Sequence, residues 1–195
     1  MKKVAITGGI ATGKSVILQK LMFNHYVIYS SDAIAHEVLN NEAKDEVINS
    51  FGSFILNDNG LVDRKKLGNI VFADLDKLNR LNEIVHPYVR KRIESIIENN
   101  PHLEIIFFEI PLLFESHMED MFDATINIYC DVDTQIERIV ARDGRSVEEA
   151  LRIIASQMPT IKRNELATYA LNNNGNLEDT YKEMDKIVKD ILSKE

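Results

Sequence analysis

The chain has little cysteine, no long apolar run and a deficit of positive charge, and each shortage excludes something. Cys130 is the only cysteine among 195 residues. No disulfide framework is available, a reducing compartment is the simplest setting, and Cys130 itself reads as a small buried hydrophobe at a strand end. No apolar stretch approaches the ~18 residues of a membrane span, and the first residues run straight into a strand pattern without a signal-type apolar region, so the expected location is cytoplasmic. A formal net charge of -8 argues against a nucleic-acid surface, which needs clustered Lys and Arg. Any anionic ligand must then be held by local cations and backbone dipoles. Repeats, low-complexity tracts and Pro-rich linkers are absent too, so the chain reads as one domain with insertions, large enough to bury a core.

What is present is a phosphate cradle. Gly8-Gly9-Ile10-Ala11-Thr12-Gly13-Lys14-Ser15 satisfies G-x-x-x-x-G-K-[ST]. Glycines let successive N–H groups turn inward onto a phosphate, and the following helix adds its positive end. At this spacing Lys14 reaches the β- and γ-phosphates and Ser15 offers a hydroxyl to Mg²⁺. The context agrees: residues 2–7 form an apolar strand pattern and residues 15–23 a helical one, in the order the motif requires.

Four further strands are expected over residues 26–30, 104–110, 124–132 and 167–173, alternating with helices that include a last one over 177–192. That alternation predicts an α/β fold with a five-stranded parallel sheet between helix layers. Asp32 falls at the carboxyl end of the second strand, where open parallel sheets bind ligands; it reads equally as a helix N-cap. Residues 41–100 show only helical spacing, far more than one crossover needs, and are expected to form a helical insertion in which Pro87 kinks a helix or begins a new one. Glu109 ends the third strand, as do carboxylates that hold Mg²⁺ or its waters, although any strand end can carry an acid. Arg138 and Arg142 share a helix face, with Arg145 just after Gly144. They read either as a mobile arm closing on phosphates or as a solvated face paired with Glu137, Asp143, Glu148 and Glu149.

No Asn-Lys-x-Asp or Asp-x-x-Gly signature of a guanine-nucleotide switch occurs. A small P-loop protein with a helical insertion and an Arg-bearing arm suits a kinase of small molecules. The readings left open are kinases differing in acceptor and a nucleotide-binding module without turnover.

At this point the sequence resembles the dephospho-coenzyme A kinase family over nearly its whole length. The resemblance rests on Ile6-Thr7-Gly8-Gly9-Ile10 with Gly13-Lys14-Ser15, Ser31-Asp32-Ala33-Ile34-Ala35-His36, Asp63-Arg64, and Leu81-Asn82-Glu83-Ile84-Val85-His86-Pro87. It continues through Pro111-Leu112-Leu113-Phe114-Glu115, Gln135-Ile136-Glu137-Arg138, Arg142-Asp143, Gln157 and Asn173. It implies a P-loop core over 1–32, 101–137 and 160–195, an acceptor-binding insertion over 33–100 and a lid over 138–159. It also implies transfer of the ATP γ-phosphate to the ribose 3′-hydroxyl of dephospho-coenzyme A, with Mg²⁺ and no nucleic-acid, membrane or obligate protein partner.

The implied catalytic residues are Asp32 as general base and Lys14, Arg138 and Arg142 as cations. ATP is assigned Gly8 to Val16 (Gly8, Gly9, Ile10, Ala11, Thr12, Gly13, Lys14, Ser15, Val16) with Arg142 and Asn173. The acceptor is assigned Asp32, Arg64, His86, Arg90 and Leu113, and the metal Ser15, with Glu109 through water. Four positions differ from the family pattern: Ala11 replaces a usual Gly, Val16 a usual Thr, and Ser30 and Thr168 usual acids.

Overall fold

The computed structural model describes residues 1–194. In chain order the elements are β1 (Lys2–Gly8), α1 (Lys14–Phe23), β2 (Ile28–Ser30), α2 (Ser31–Asn40), α3 (Lys44–Phe51), α4 (Arg64–Val71), α5 (Leu75–Glu98), β3 (Ile105–Glu109), β4 (Ala124–Tyr129), α6 (Val132–Asp143), α7 (Val147–Ala155), α8 (Thr160–Leu166), β5 (Tyr169–Asn172) and α9 (Leu177–Ser193). Contacts divide the chain into two compact units, Met1–Tyr29 together with the chain from Pro101 onward, and Ser30–Asn100.

In the first unit the strands lie in the order β2-β3-β1-β4-β5, as expected of an α/β fold with a five-stranded sheet. β1 runs parallel to β3 and β4, and β4 parallel to β5. Because side chains alternate across a strand, each strand sends apolar residues to both faces. Val4, Ile6, Phe107, Ile126, Ile128 and Leu171 meet Ile17, Leu18 and Leu21 of α1 and Met184, Ile187, Val188 and Ile191 of α9 in one buried cluster. Ala5, Ile106, Phe108 and Thr125 point the other way and are equally buried. Phe108 packs there against Phe122, ring centroids 5.5 Å apart. α8 covers part of this second face through the Asn127 amide, which donates to Asn164 at 2.6 Å. Chain connections leave β1 and β4 in opposite directions, so their carboxyl ends open a crevice, the usual ligand position in such sheets.

The second unit is helical. α2 and α5 form its centre, and Ile34, Val38, Val47, Phe51, Leu67, Val71, Ile84, Val89 and Ile93 are buried. Asp63 caps α4 by accepting from the Lys65 and Lys66 amides at 2.9 and 3.1 Å, and Asp74 caps α5 in the same way. At two positions one of two open readings falls away. Pro87 begins no new helix: α5 runs through it as one element of 24 residues. A proline removes one helical hydrogen bond, and burial of Ile84, Val85, Val89 and Ile93 along the same face offsets that loss. Asp32 is not an N-cap either. The cap position of α2 is Ser30, and Asp32 sits inside the first turn with its side chain exposed.

Candidate active site

The turn from β1 into α1 is built by backbone that glycine permits. Gly13 stands at the N-cap of α1 with φ 86°, a left-handed conformation that costs other residues about 1–2 kcal/mol. A Cβ there would lie 2.1 Å from Asn173 Nδ2. Ala11 adopts φ 56° without being glycine. The resemblance implies Gly at this position, and the left-handed backbone gives a physical reason for it.

Side chains from distant elements tie the loop down by its own backbone. Asn173 Nδ2 donates to the Thr12 carbonyl at 2.8 Å. Arg138 donates through Nη1 to the Ala11 carbonyl at 3.1 Å and through Nη2 to the Asn173 carbonyl at 3.2 Å. Gln135 Nε2 donates to the Ile10 carbonyl at 2.7 Å, and the Ile10 amide donates to Gln157 Oε1 at 2.9 Å. Within the loop, the Thr12 hydroxyl donates to the Gly9 carbonyl at 3.0 Å. Each loop carbonyl turned outward onto a side chain leaves the concave side of the loop to N–H groups, which is what a phosphate needs.

This arrangement lines a cleft of about 740 Å³ with residues 9–16, Glu109, Arg138, Ala141, Arg142, Asn173 and Leu177. Thus Gly9, Ile10, Ala11, Thr12, Gly13, Lys14, Ser15, Val16, Glu109, Arg138, Arg142 and Asn173 are brought together from the β1–α1 turn, α1, β3, α6 and the residue just past β5. Gly8 lies at the base of the turn, its carbonyl accepting from Lys14 Nζ at 3.2 Å. Lys14 Nζ also lies 4.0 Å from Glu109 Oε1, a distance that orients the ammonium without a tight ion pair. Val16 takes part in the cleft wall as an apolar residue, where the resemblance implies a hydroxyl. Its backbone N–H donates to the Gly13 carbonyl at 3.1 Å.

The two arginines expected to act alike are held differently. Arg138 spends its guanidinium on two backbone carbonyls and also donates to Cys130 Sγ at 3.7 Å. Arg142 has 61% of its side chain exposed and forms a forked pair with the adjacent Asp143, Nε to Oδ1 at 2.7 Å and Nη2 to Oδ2 at 2.9 Å. That pairing holds the Asp143 carboxyl below the usual carboxylate range. The solvated-face reading therefore describes Arg142 as it stands here, and neither reading anticipated the task of Arg138. Cys130 is buried as expected, and burial pushes its thiol pKa up.

Asp32, Arg64, His86 and Arg90 belong to the second unit. Arg64 is the exposed first residue of α4. His86 and Arg90 lie four apart on α5 and so share a face. Burial, and then the neighbouring Arg90 charge, push the His86 imidazole below its ordinary value of 6.5. Leu113, assigned to the acceptor, is 0% exposed, and it is Leu112 beside it that faces outward. An apolar side chain in a Pro-Leu-Leu-Phe run is pulled into the core in preference to lining a wet cleft.

Several site residues were not singled out by motif reasoning. Gln135 and Gln157 are legible in the sequence only through the family resemblance, because lone glutamines have no spacing rule that marks them. Arg163, 2% exposed, is held at 3.3 Å by Glu115 and approaches Gly9, where an added Cβ would meet its Nη1 at 3.0 Å. Ala141 and Leu177 line the cleft as ordinary apolar positions of amphipathic helices.

With this geometry in place, comparison with known proteins is specific. The family model of dephospho-CoA kinase (CoaE) matches residues 2–179. The dephospho-CoA kinase of Fusobacterium nucleatum is 36% identical over 189 residues, covering 96% of this chain and 97% of the relative. A crystal structure from Thermus thermophilus superposes with a TM-score of 0.81 at 29% identity, covering 97% of both chains. That of the dephospho-CoA kinase from Campylobacter jejuni gives 0.74 at 28%, covering 97% of this chain and 96% of the other. A match of this extent, carried through the loop, the helical unit and the arm alike, means that the chain belongs to the dephospho-CoA kinase family.

Proposed function

We propose that this chain transfers the γ-phosphate of ATP to the ribose 3′-hydroxyl of dephospho-coenzyme A, giving coenzyme A and ADP. The observation that carries the reading is the cleft at the loop of residues 8–15, walled by Lys14, Glu109, Arg138, Arg142 and Asn173, in a chain that matches the family over residues 2–179. In this reading residues 1–32, 101–137 and 160–195 are the nucleotide core, residues 33–100 bind the acceptor and residues 138–159 form the lid.

Phosphoryl transfer passes through a loose transition state whose charge spreads over the equatorial oxygens, so positioning and cations matter more than covalent help. The loop N–H groups and Lys14 hold the β- and γ-phosphates. Arg138 presets the loop through the Ala11 carbonyl and adds positive charge to the wall. Arg142, exposed on the arm, exchanges its pairing with Asp143 for the transferring phosphoryl group. Asp32 accepts the proton of the attacking hydroxyl, and His86, Arg90 and Arg64 hold the acceptor. Closure of the lid excludes water, which otherwise competes as the nucleophile.

The oxygen donors Ser15 and Glu109 line the same cleft and suit a hard divalent cation, with Glu109 acting through water. Mg²⁺ bound there supplies charge neutralisation on the phosphate oxygens. A cytoplasmic setting accords with the buried, unpaired Cys130, and among the described residues no helix is long and apolar enough to cross a membrane.

The deciding experiment measures ADP release from ATP and Mg²⁺ with dephospho-coenzyme A, AMP, a set of nucleosides, or no acceptor. Release that depends on dephospho-coenzyme A is expected. Release with AMP or a nucleoside instead makes the chain a different small-molecule kinase. ATP binding without release in any arm makes it a binding module.

A further inference from the structure

Ile10, in the middle of the phosphate loop, is gripped on both of its backbone polar groups by side-chain amides. Its N–H donates to Gln157 Oε1 at 2.9 Å, and its carbonyl accepts from Gln135 Nε2 at 2.7 Å. The two glutamines come from far apart in sequence: Gln135 from α6, and Gln157 from the turn between α7 and α8. They close on Gly9 as well, where an added Cβ would stand 3.2 Å from each of these amide atoms.

The N–H of Ile10 belongs to the peptide plane before the residue and its carbonyl to the plane after it. Two bonds therefore fix the rotation of both planes, which is the freedom a loop of small residues otherwise keeps. Gln135 is 2% exposed, and its Oε1 is buried without a hydrogen-bond partner. At that burial the bond to the Ile10 carbonyl satisfies the amide's donor side.

We propose that Gln135 and Gln157 are positioning residues, which set the peptide planes on either side of Ile10 and so aim the loop's N–H groups at a triphosphate. They do not touch the reacting atoms. The proposal rests on the ATP-binding part of the function above and not on the identity of the acceptor.

The two amides have opposite duties, and the test uses this. Gln157 needs only an acceptor, so Gln157→Glu keeps the bond, whereas Gln135→Glu loses its donor and turns an oxygen against the Ile10 carbonyl. Gln→Met at either position removes the bond at nearly constant length. ATP binding to the whole chain with Mg²⁺ is measured by calorimetry, without acceptor.

The expected result is that Gln135→Met and Gln157→Met each weaken ATP by about three- to tenfold, the worth of one neutral hydrogen bond. Gln157→Glu is expected to bind ATP at least about threefold more tightly than Gln135→Glu, although both add the same charge. In turnover assays the acceptor's KM stays unchanged in the Gln157 variants. Met variants that bind ATP as the native chain does, or two Glu variants that bind alike, overturn the proposal. If the Gln135 variants do not fold, the half-buried Gln157 decides: a weaker Gln157→Met partly restored in Gln157→Glu supports it, and equal affinities overturn it. A native chain that binds no ATP removes the function proposed above and this inference with it, whereas native binding with unaffected variants removes this inference alone.

Discussion

Asn173, just past β5, donates its side-chain amide to the carbonyl of Thr12 at 2.8 Å, joining the fifth strand to the phosphate loop across 161 positions of chain. The contact leaves no space above Gly13, whose φ of 86° already demands glycine. The loop's shape is thus enforced from outside it as well as by its own composition.

Asn173→Ala leaves the buried Thr12 carbonyl without its donor. An unsatisfied buried group of this kind costs about 1–3 kcal/mol. Thermal unfolding of the variant should show that loss, and ATP affinity should fall with it. A melting temperature equal to the native chain's would mean that water replaces the amide at no cost.

The two arginines of the cleft should separate by experiment. Arg138→Lys cannot serve the Ala11 and Asn173 carbonyls together, since an ammonium lacks the planar fork. Both stability and turnover should drop. Arg142→Ala removes an exposed pair with Asp143, so stability should stay within about 0.5 kcal/mol. Its turnover should fall by about 10²-fold or more if it meets the phosphoryl group. Unfolding curves read beside kcat distinguish the two. An Arg142→Ala enzyme with native kcat removes Arg142 from the reaction.

Asp32→Asn should lower kcat by about 10²- to 10⁴-fold, the usual worth of a positioned base. ATP should still bind, because the loop is untouched. The helix-cap explanation for this residue no longer competes, since Ser30 holds the cap position. A loss below about tenfold would leave Asp32 as a first-turn acid that favours the positive end of α2.

His86 supplies a pH test with a definite sign. Its imidazole sits below the ordinary 6.5, mainly through burial and then through Arg90. The unfolded chain therefore takes up this proton at higher pH than the folded one, and the linked stability is present above about 6.5 and lost as pH falls below it. His86→Ala should flatten that part of the stability profile. It should also raise the acceptor's KM with little change in the KM for ATP. An acceptor KM that does not move would remove His86 from the binding surface.

Much of this protein was determined by local sequence alone. The cradle was legible because glycines, a lysine and a serine at fixed spacing obey backbone rules that need no partner. The strands were legible because short apolar runs alternate with helical spacing, and the central ones, β1, β3 and β4, are buried on both faces as a parallel sheet requires. The two signals together made the α/β class plain.

What the tertiary structure decided are the matters that depend on which groups face each other. It gave Arg138 to the Ala11 carbonyl and left Arg142 on Asp143, although both had looked like equivalent cations on one helix face. It carried α5 unbroken through Pro87, because burial on one face outweighs a single lost hydrogen bond. It turned Leu113 inward, and it brought Gln135, Gln157 and Asn173 onto the backbone of a loop far from them in sequence. Propensity and spacing are properties of neighbours along the chain, whereas a hydrogen bond between residues 12 and 173 exists only once the sheet has brought them together.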